Sequence, residues 1–281
     1  MRSDFHFHLE NGDYTEEWIK RFLDEGNKKG IEQFGVVEHI YNFKEYKNFF
    51  LGLNNHQRKG RLQMEWLDSC SHSSVYEYVK FIEDMKKKLK NLYLGIEMDY
   101  VPQHIEELKK VSDEFHWDFI IGSIHMLDNW VFDNYNEQDE WEYRDQKSTY
   151  DKYYNMIINE IDTGIFNIIG HVGNLKVYCH RDPAERKNDY IKIAKAIKKN
   201  DAAIEINTGL MYRYPVREIC PDFQLLDICC REGVDITISS DAHMPEDIGT
   251  NHDYAVSYAK KVGYTKQVIF KDKKKIVMAL D

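Results

Sequence analysis

The sequence predicts an α/β fold in which strands and helices alternate around a parallel sheet, and three observations carry that prediction. Short apolar runs alternate with helix-like segments seven times along the 281 residues, the pattern of repeated β–α units. Six of the twelve histidines stand at the ends of such runs, at His6, His8, His39, His125, His171 and His243, and a matching run ends in Glu97. In barrels of parallel strands the ends after each strand form one shared rim, so these groups are expected to meet. The length suits one large α/β barrel or two smaller domains, and 42% apolar residues can bury a sizeable core. No internal repeat, linker or low-complexity segment divides residues 1–281, which favours a single domain.

The first strand is expected over about 3–8 and feeds a helix over about 15–29. There Trp18, Phe22 and Leu23 share a face, and Thr15 ahead of Glu16 and Glu17 is a start signal. The second strand ends at His39. Residues 40–74 are polar and rich in aromatics, too irregular for a standard helix, and are expected as an insertion over the rim that could act as a lid. A lysine-rich amphipathic helix over about 75–90 leads to a third strand at 92–100, and a helix starting near Pro102 leads to a fourth at 118–126. Residues 127–146, with Trp130, Phe132, Tyr135, Trp141 and Tyr143, form a second long excursion from the strand-end side. Strands at 165–170, 202–207 and 235–240 follow with helices between them. A last apolar run at 267–270 is either an eighth strand or a terminal cover.

Composition narrows the function classes. No run of about eighteen apolar residues occurs, and the N-terminus runs into the first strand without a charged and then apolar signal region, so a soluble cytoplasmic protein is expected. The five cysteines, Cys70, Cys179, Cys220, Cys229 and Cys230, are odd in number and lack a CxxC spacing, which favours reduced thiols over a disulfide framework or zinc ribbon. A net charge of −10 without a basic stripe disfavours nucleic acid and anionic membranes as partners and favours a small molecule. Oligomeric state is not legible.

The chemistry lies in the spacing. Residues two apart on a strand point to one face, so His6 and His8 can reach the same ion. Asp241 and His243 repeat that geometry at the seventh strand and bring a carboxylate. An isolated HxH pair is weak, but with His39, Glu97, His125 and His171 also at strand ends, a multi-metal site is predicted.

The motifs His6-Phe7-His8, Glu38-His39, Gly95-Ile96-Glu97, Gly122-Ser123-Ile124-His125, Gly170-His171 and Ser240-Asp241-Ala242-His243, taken in order, resemble those of the PHP phosphoesterase superfamily. Within it they resemble the monofunctional histidinol-phosphate phosphatases, over nearly the whole chain. The resemblance implies a distorted (βα)7 barrel with two or three divalent transition-metal ions, zinc, manganese or iron, that hydrolyses a phosphomonoester. It implies one ion on His6, His8, Glu97 and Asp241, a second sharing Glu97 with His125 and His171, and a third on His39 and His243. Relatives often carry a further histidine between positions equivalent to His8 and His39; none occurs here, and Glu17, with Asp13 as its competitor, is the expected replacement. A second departure is Gly170-His171-Val172-Gly173, where relatives often have an acid two residues after the histidine.

Divalent ions in excess of the carboxylates would make the pocket of this acidic protein cationic, suited to phosphate. Arg181 and Arg213, in loops after the fifth and sixth strands, are expected to grip the phosphoryl oxygens, with Arg217 and Lys176 as alternates. Asp241 or His243 is expected to protonate the leaving alkoxide. His56, His72, His104, His116, His180 and His252 are expected at the surface or in packing. The alternatives to a histidinol-phosphate phosphatase are a PHP phosphoesterase for another small phosphomonoester or nucleotide, and a non-catalytic metal-binding barrel.

Overall fold

The computed structural model describes residues 1–280. Its strands are β1 (Arg2–His8), β2 (Ile31–Val37), β3 (Leu92–Asp99), β4 (Phe119–Ser123), the short pair β5 (Met126–Leu127) and β6 (Trp130–Val131), β7 (Ile168–Ile169), β8 (Ala203–Asn207) and β9 (Asp235–Ser239). Seven of them form one parallel sheet in the order β1-β2-β3-β4-β7-β8-β9. The sheet curls until its edges meet just beyond β9, where the His8 amide donates to the Ala242 carbonyl at 2.8 Å. The result is the distorted seven-stranded barrel.

Helices α1 (Glu16–Lys28), α2 (Gly60–Cys70), α3 (Val75–Lys88), α4 (Ile105–Glu114), α5 (Gln146–Asp162), α6 (Lys187–Lys199), α7 (Gly209–Arg213), α8 (Phe223–Arg231) and α9 (His252–Val262) lie between and after these strands. Thr15 caps α1 as its position predicts, its hydroxyl accepting from the Trp18 amide at 3.2 Å. Phe22 on the buried face of that helix stacks on Phe7 with ring centroids 5.3 Å apart. None of the described helices is long and apolar enough to cross a membrane.

Three expectations about elements change. The fifth barrel strand shrinks to Ile168–Ile169, because the Asn167 side chain replaces a ladder carbonyl and accepts from the Ile120 amide at 2.9 Å. The fourth strand stops at Ser123, since Met126–Leu127 pairs antiparallel with Trp130–Val131 across a turn whose Asp128 and Asn129 have φ of 52° and 61°. Residues 40–74 contain a regular helix after all, α2. Its buried stripe runs through the polar Gln63 as well as Leu67, while Leu62 is exposed, so apolar periodicity does not reveal it. Gln63 is satisfied from the other excursion, accepting from the Val131 amide at 2.7 Å and donating to the Asn129 carbonyl at 2.5 Å. The two insertions thus join into one wall over the rim.

The run at 267–270 is a cover. It lies in β10 (Lys266–Lys271), which pairs antiparallel with β11 (Lys274–Ala279). Val268, Ile269, Phe270 and Met278 pack on Phe5, Tyr93 and Phe119, so this hairpin plugs the end of the barrel where the strands begin. Gly35 and Gly95 leave the space those rings need: a Cβ on Gly95 would lie 2.4 Å from the Phe119 ring, and one on Gly35 2.8 Å from both Phe119 and Phe5. With that end filled, only the opposite rim remains open to a ligand.

Candidate metal centre

The rim groups reach one another because each strand ends at a similar height. Along β1 the register against β2 slips between Asp4 and Phe7, so Phe5 packs into the lower core while its neighbour His6 faces the cluster. His8 follows two residues later on the same side, its ring 5.0 Å from that of His6. Beyond β9 the chain turns sharply through Asp241, whose φ of 56° is one that aspartate tolerates better than most residues. That turn brings Asp241 and His243 back over the barrel mouth.

Glu97, fully buried at the end of β3, is the centre of the arrangement. Its Oε2 lies 2.8 Å from His39 Nδ1, 3.1 Å from His6 Nε2 and 3.4 Å from His8 Nε2. Its Oε1 lies 2.9 Å from His171 Nε2 and 3.6 Å from His125 Nε2, and accepts from the Ser123 hydroxyl at 2.6 Å. The two oxygens therefore face two different sets of imidazoles. Asp241 Oδ1 stands 3.7 Å from His6 Nε2 and 3.6 Å from His8 Nε2, on the Oε2 side. Ligand atoms of His6, His8 and Glu97, of His39, Glu97 and His125, and of His8, His39 and His243 each fall within 4.8 Å of one another.

The donor set fits cations better than it fits itself. Glu205 is held ionised: burial pushes its carboxyl up, but the adjacent His6 outweighs that and lowers it. His6 Nδ1, 2.7 Å from Glu205 Oε1, donates there, and because burial is outweighed by Glu97, Glu205 and Asp241, which raise the imidazole well above the usual histidine range, Nε2 carries a second proton. That nitrogen faces Glu97 Oε2 and, at 3.0 Å, His8 Nε2. His125 repeats the pattern with Nδ1 on Asp99 at 2.9 Å and Nε2 toward Glu97. Ring nitrogens converging on a carboxylate need protons or a cation between them, and a bound cation would take the place of the protons that His6 and His125 carry here. Imidazoles oriented by a carboxylate behind them are the usual form of a metal-ligating histidine.

Protonation differs around the cluster. Burial and the neighbouring His39 lower His8 to about 4, and burial with Arg213 holds His243 well below the usual histidine range. Both keep a free lone pair. Burial also pulls His125 down, but Asp99 and Glu97 outweigh it and hold the imidazole at about 10. To ligate an ion His125 would have to lose that proton, so the affinity of the metal-free protein for zinc is expected to rise with pH from neutrality toward about 10. Competition titrations against a chromophoric chelator at several pH values test this; a pH-independent affinity contradicts it.

Glu205 is the main residue that sequence reasoning missed. Besides orienting His6 it accepts from the His171 amide at 2.7 Å and from the Asn207 amide group at 3.1 Å. A visible signal existed, a lone carboxylate inside the apolar strand Ala203–Asn207. Replacing Glu205 by Gln is expected to weaken metal binding about 10- to 100-fold, the effect of losing an orienting partner. Wild-type metal affinity in Glu205→Gln, by the same titration, contradicts that role.

Other expected site residues divide. Arg213, at the end of α7, is in the centre: it donates to Asp241 Oδ2 at 2.6 Å and lies 2.6 Å from His243 Nδ1. Arg181 is not; it is largely exposed, pairs with Glu218 and lines a separate recess. Lys176 lies in that recess too, 3.1 Å from Glu218, and Arg217 donates to the carbonyls of Met211 and Tyr212. Neither Glu17 nor Asp13 reaches the cluster, because α1 carries Glu17 on its exposed side and Asp13 is exposed in the preceding loop. Glu10 stands there instead, 3.3 Å from His243 Nε2 and accepting from Asn42 at 2.5 Å. Burial raises its carboxyl, but His243, His39 and His8 outweigh it and bring it down to about 2.

Over the centre lies a cleft of about 290 Å³, near the lower end of the range for small-ligand sites. Its walls include Tyr41, Trp66, Cys70 and His72 from the first insertion and Asp133 from the second. His72 is therefore a cleft residue rather than a remote one. Asp241 is held ionised, Arg213 and His6 outweighing burial. Asp241 and His243, the two groups expected to protonate the leaving alkoxide, both line this cleft.

Comparison with known proteins agrees with the architecture. The model of the PHP domain matches residues 4–209. A Deinococcus radiodurans protein named "Probable histidinol-phosphatase" is 31% identical over 204 residues, which span 70% of this chain and 76% of that one. The Lactococcus lactis histidinol-phosphatase is 24% identical over 276 residues, spanning 95% and 93%. A crystal structure of histidinol phosphate phosphatase from Lactococcus lactis, complexed with zinc, L-histidinol and phosphate, shares the fold with a TM-score of 0.74 at 20% identity, covering 98% of each chain.

Proposed function

The chain belongs to the PHP family, and on that premise we propose that it is a metal-dependent phosphomonoesterase that hydrolyses L-histidinol phosphate to L-histidinol and phosphate, a step of histidine biosynthesis. The observation that carries the reading is Glu97, whose two oxygens face separate sets of imidazoles beneath an open cleft with a guanidinium at its edge. In this reading His6, His8, Asp241 and one oxygen of Glu97 hold one ion, and His125, His171 and the other oxygen hold a second. His39 lies between them. A third position is bounded by His39, His243 and Glu10, with Glu10 replacing Glu17.

When bound, divalent ions supply Lewis acidity at phosphoryl oxygens and lower the pKa of water to near neutrality. The chain's own residues do the rest. Glu205 and Asp99 fix the imidazole planes of His6 and His125, so the donor set is organised before a substrate arrives. Arg213 presents a fixed, always charged fork to a phosphoryl group entering the cleft, and His243 and Asp241 hold that fork in place. The insertions narrow the cleft around the leaving group.

The test couples metal analysis of the purified protein to a phosphate-release panel. Two or three transition-metal ions per chain are expected, and less than one in an unchelated preparation contradicts the proposal. Simple aryl and sugar phosphates should be hydrolysed at least about tenfold less efficiently than L-histidinol phosphate, a difference of about 1.4 kcal/mol in transition-state binding. A sugar phosphate or nucleotide turned over faster would leave phosphomonoester hydrolysis but remove the assigned substrate.

A further inference from the structure

We infer that Asp133 is the residue that selects a cationic leaving group, binding the ammonium of an amino-alcohol phosphate while the ester's phosphoryl end lies at the metal centre. The inference rests on the phosphomonoesterase reading and adds to it the determinant of substrate class.

Four observations converge on Asp133. It lines the cleft over the metal centre, and it also lines a second recess that adjoins the cleft through Asp133, Arg213 and Tyr214. A substrate with its phosphoryl group beside Arg213 can therefore extend its other end past Asp133. Among the described residues its carboxylate has no side-chain hydrogen bond or ion pair, whereas the other acids at the mouth are engaged: Glu10 by Asn42 and His243, Asp241 by Arg213. Its backbone is anchored, the Tyr178 hydroxyl donating to its carbonyl at 2.7 Å. The recess beyond is aromatic, with the Tyr178 ring 6.4 Å from that of Tyr135 and 6.0 Å from that of Tyr214.

A carboxylate drawn out of water is destabilised, and burial, outweighing the nearby imidazoles of His125, His39 and His171, pushes the Asp133 carboxyl up. An ammonium within hydrogen-bond reach relieves that cost, and aromatic faces around it add cation–π attraction. A neutral alkyl or aryl group does neither. Arg213 and bound metal at one end and Asp133 at the other form a polarised slot that matches a molecule negative at its ester and positive at its amine. That charge pattern excludes nucleotides and sugar phosphates, whose leaving groups carry no cation near the ester.

The experiment compares phosphoethanolamine with ethyl phosphate, which differ by the ammonium, on one metal-loaded preparation of wild type and one of Asp133→Asn. The ratio of the two kcat/KM values is independent of the fraction of active enzyme, so partial loss of folding or metal cancels. The expected result is a wild-type ratio favouring phosphoethanolamine that falls at least about tenfold in D133N, the scale of a charge-assisted hydrogen bond. The fall should appear mainly in KM. An unchanged ratio in D133N, or a wild-type ratio at or below one, overturns the assignment of Asp133. L-Histidinol phosphate run in parallel separates the two claims: failure of the wild type to prefer it over sugar phosphates removes the proposed substrate, while the ethanolamine ratio still judges Asp133.

Discussion

Glu97→Gln is expected to lose two metal ions together and, with them, about a hundredfold or more of the phosphatase activity. The basis is the division of labour between its oxygens, with His6, His8 and His39 around Oε2 and His125 and His171 around Oε1. A carboxamide keeps the shape and one oxygen that can still accept from Ser123, so folding has little reason to change. It would give up the negative charge that both ions would share and put an N–H donor where a carboxylate oxygen would hold metal. Removing one preorganised electrostatic group from a site of this kind costs on the order of a hundredfold to a thousandfold, and here two ions depend on it. Elemental analysis and kcat/KM under metal-replete conditions provide the check. Loss of one ion alone with full activity would overturn the bridge.

The barrel and the cluster at its rim were legible because both follow from periodicity. An apolar run of five or six residues ending in His or Glu marks a strand and its rim position together, and all eight side chains so marked, from His6 to His243, meet over the barrel mouth. Glu10 was legible in principle, since His6, His8 and Glu10 continue one alternation. The helix start drew attention to Glu17 instead, but the first turn of α1 faces Glu17 outward. Glu205 was obscured for the opposite reason: nothing in a local window says that a carboxylate in one strand will meet a histidine 199 residues away.

What periodicity could not supply was the placement of irregular chain. Arg181 and Arg213 both follow barrel strands in the sequence, yet one faces Glu218 at the surface and the other lies beside Asp241. The difference is in the loops. Arg213 ends the short helix α7, whose start is tied down by Asn207 accepting from the Gly209 amide at 2.8 Å. Gly209 suits that approach, since a Cβ would lie 3.0 Å from Asp241 Oδ2, tighter than most such contacts. Such a close approach fixes where α7 begins and hence where Arg213 emerges.

That placement separates the two arginines experimentally. Arg213→Ala is expected to cost about 1.5 to 3 kcal/mol in kcat/KM, the range for a charge-assisted hydrogen bond to a phosphoryl oxygen. Arg181→Ala is expected to change it by less than about 0.5 kcal/mol, as for most exposed positions. Metal content distinguishes a phosphate clamp from a structural prop. Removing Arg213 takes a positive charge from beside Asp241 and His243, which makes both better metal ligands, so a clamp predicts lost activity with metal retained or more tightly held. A prop predicts that metal and activity fall together. Arg213→Lys restores charge without the planar fork and should recover only part of the loss. Wild-type kcat/KM in Arg213→Ala would remove the guanidinium from the proposed chemistry and leave the phosphoryl group to the metal centre alone.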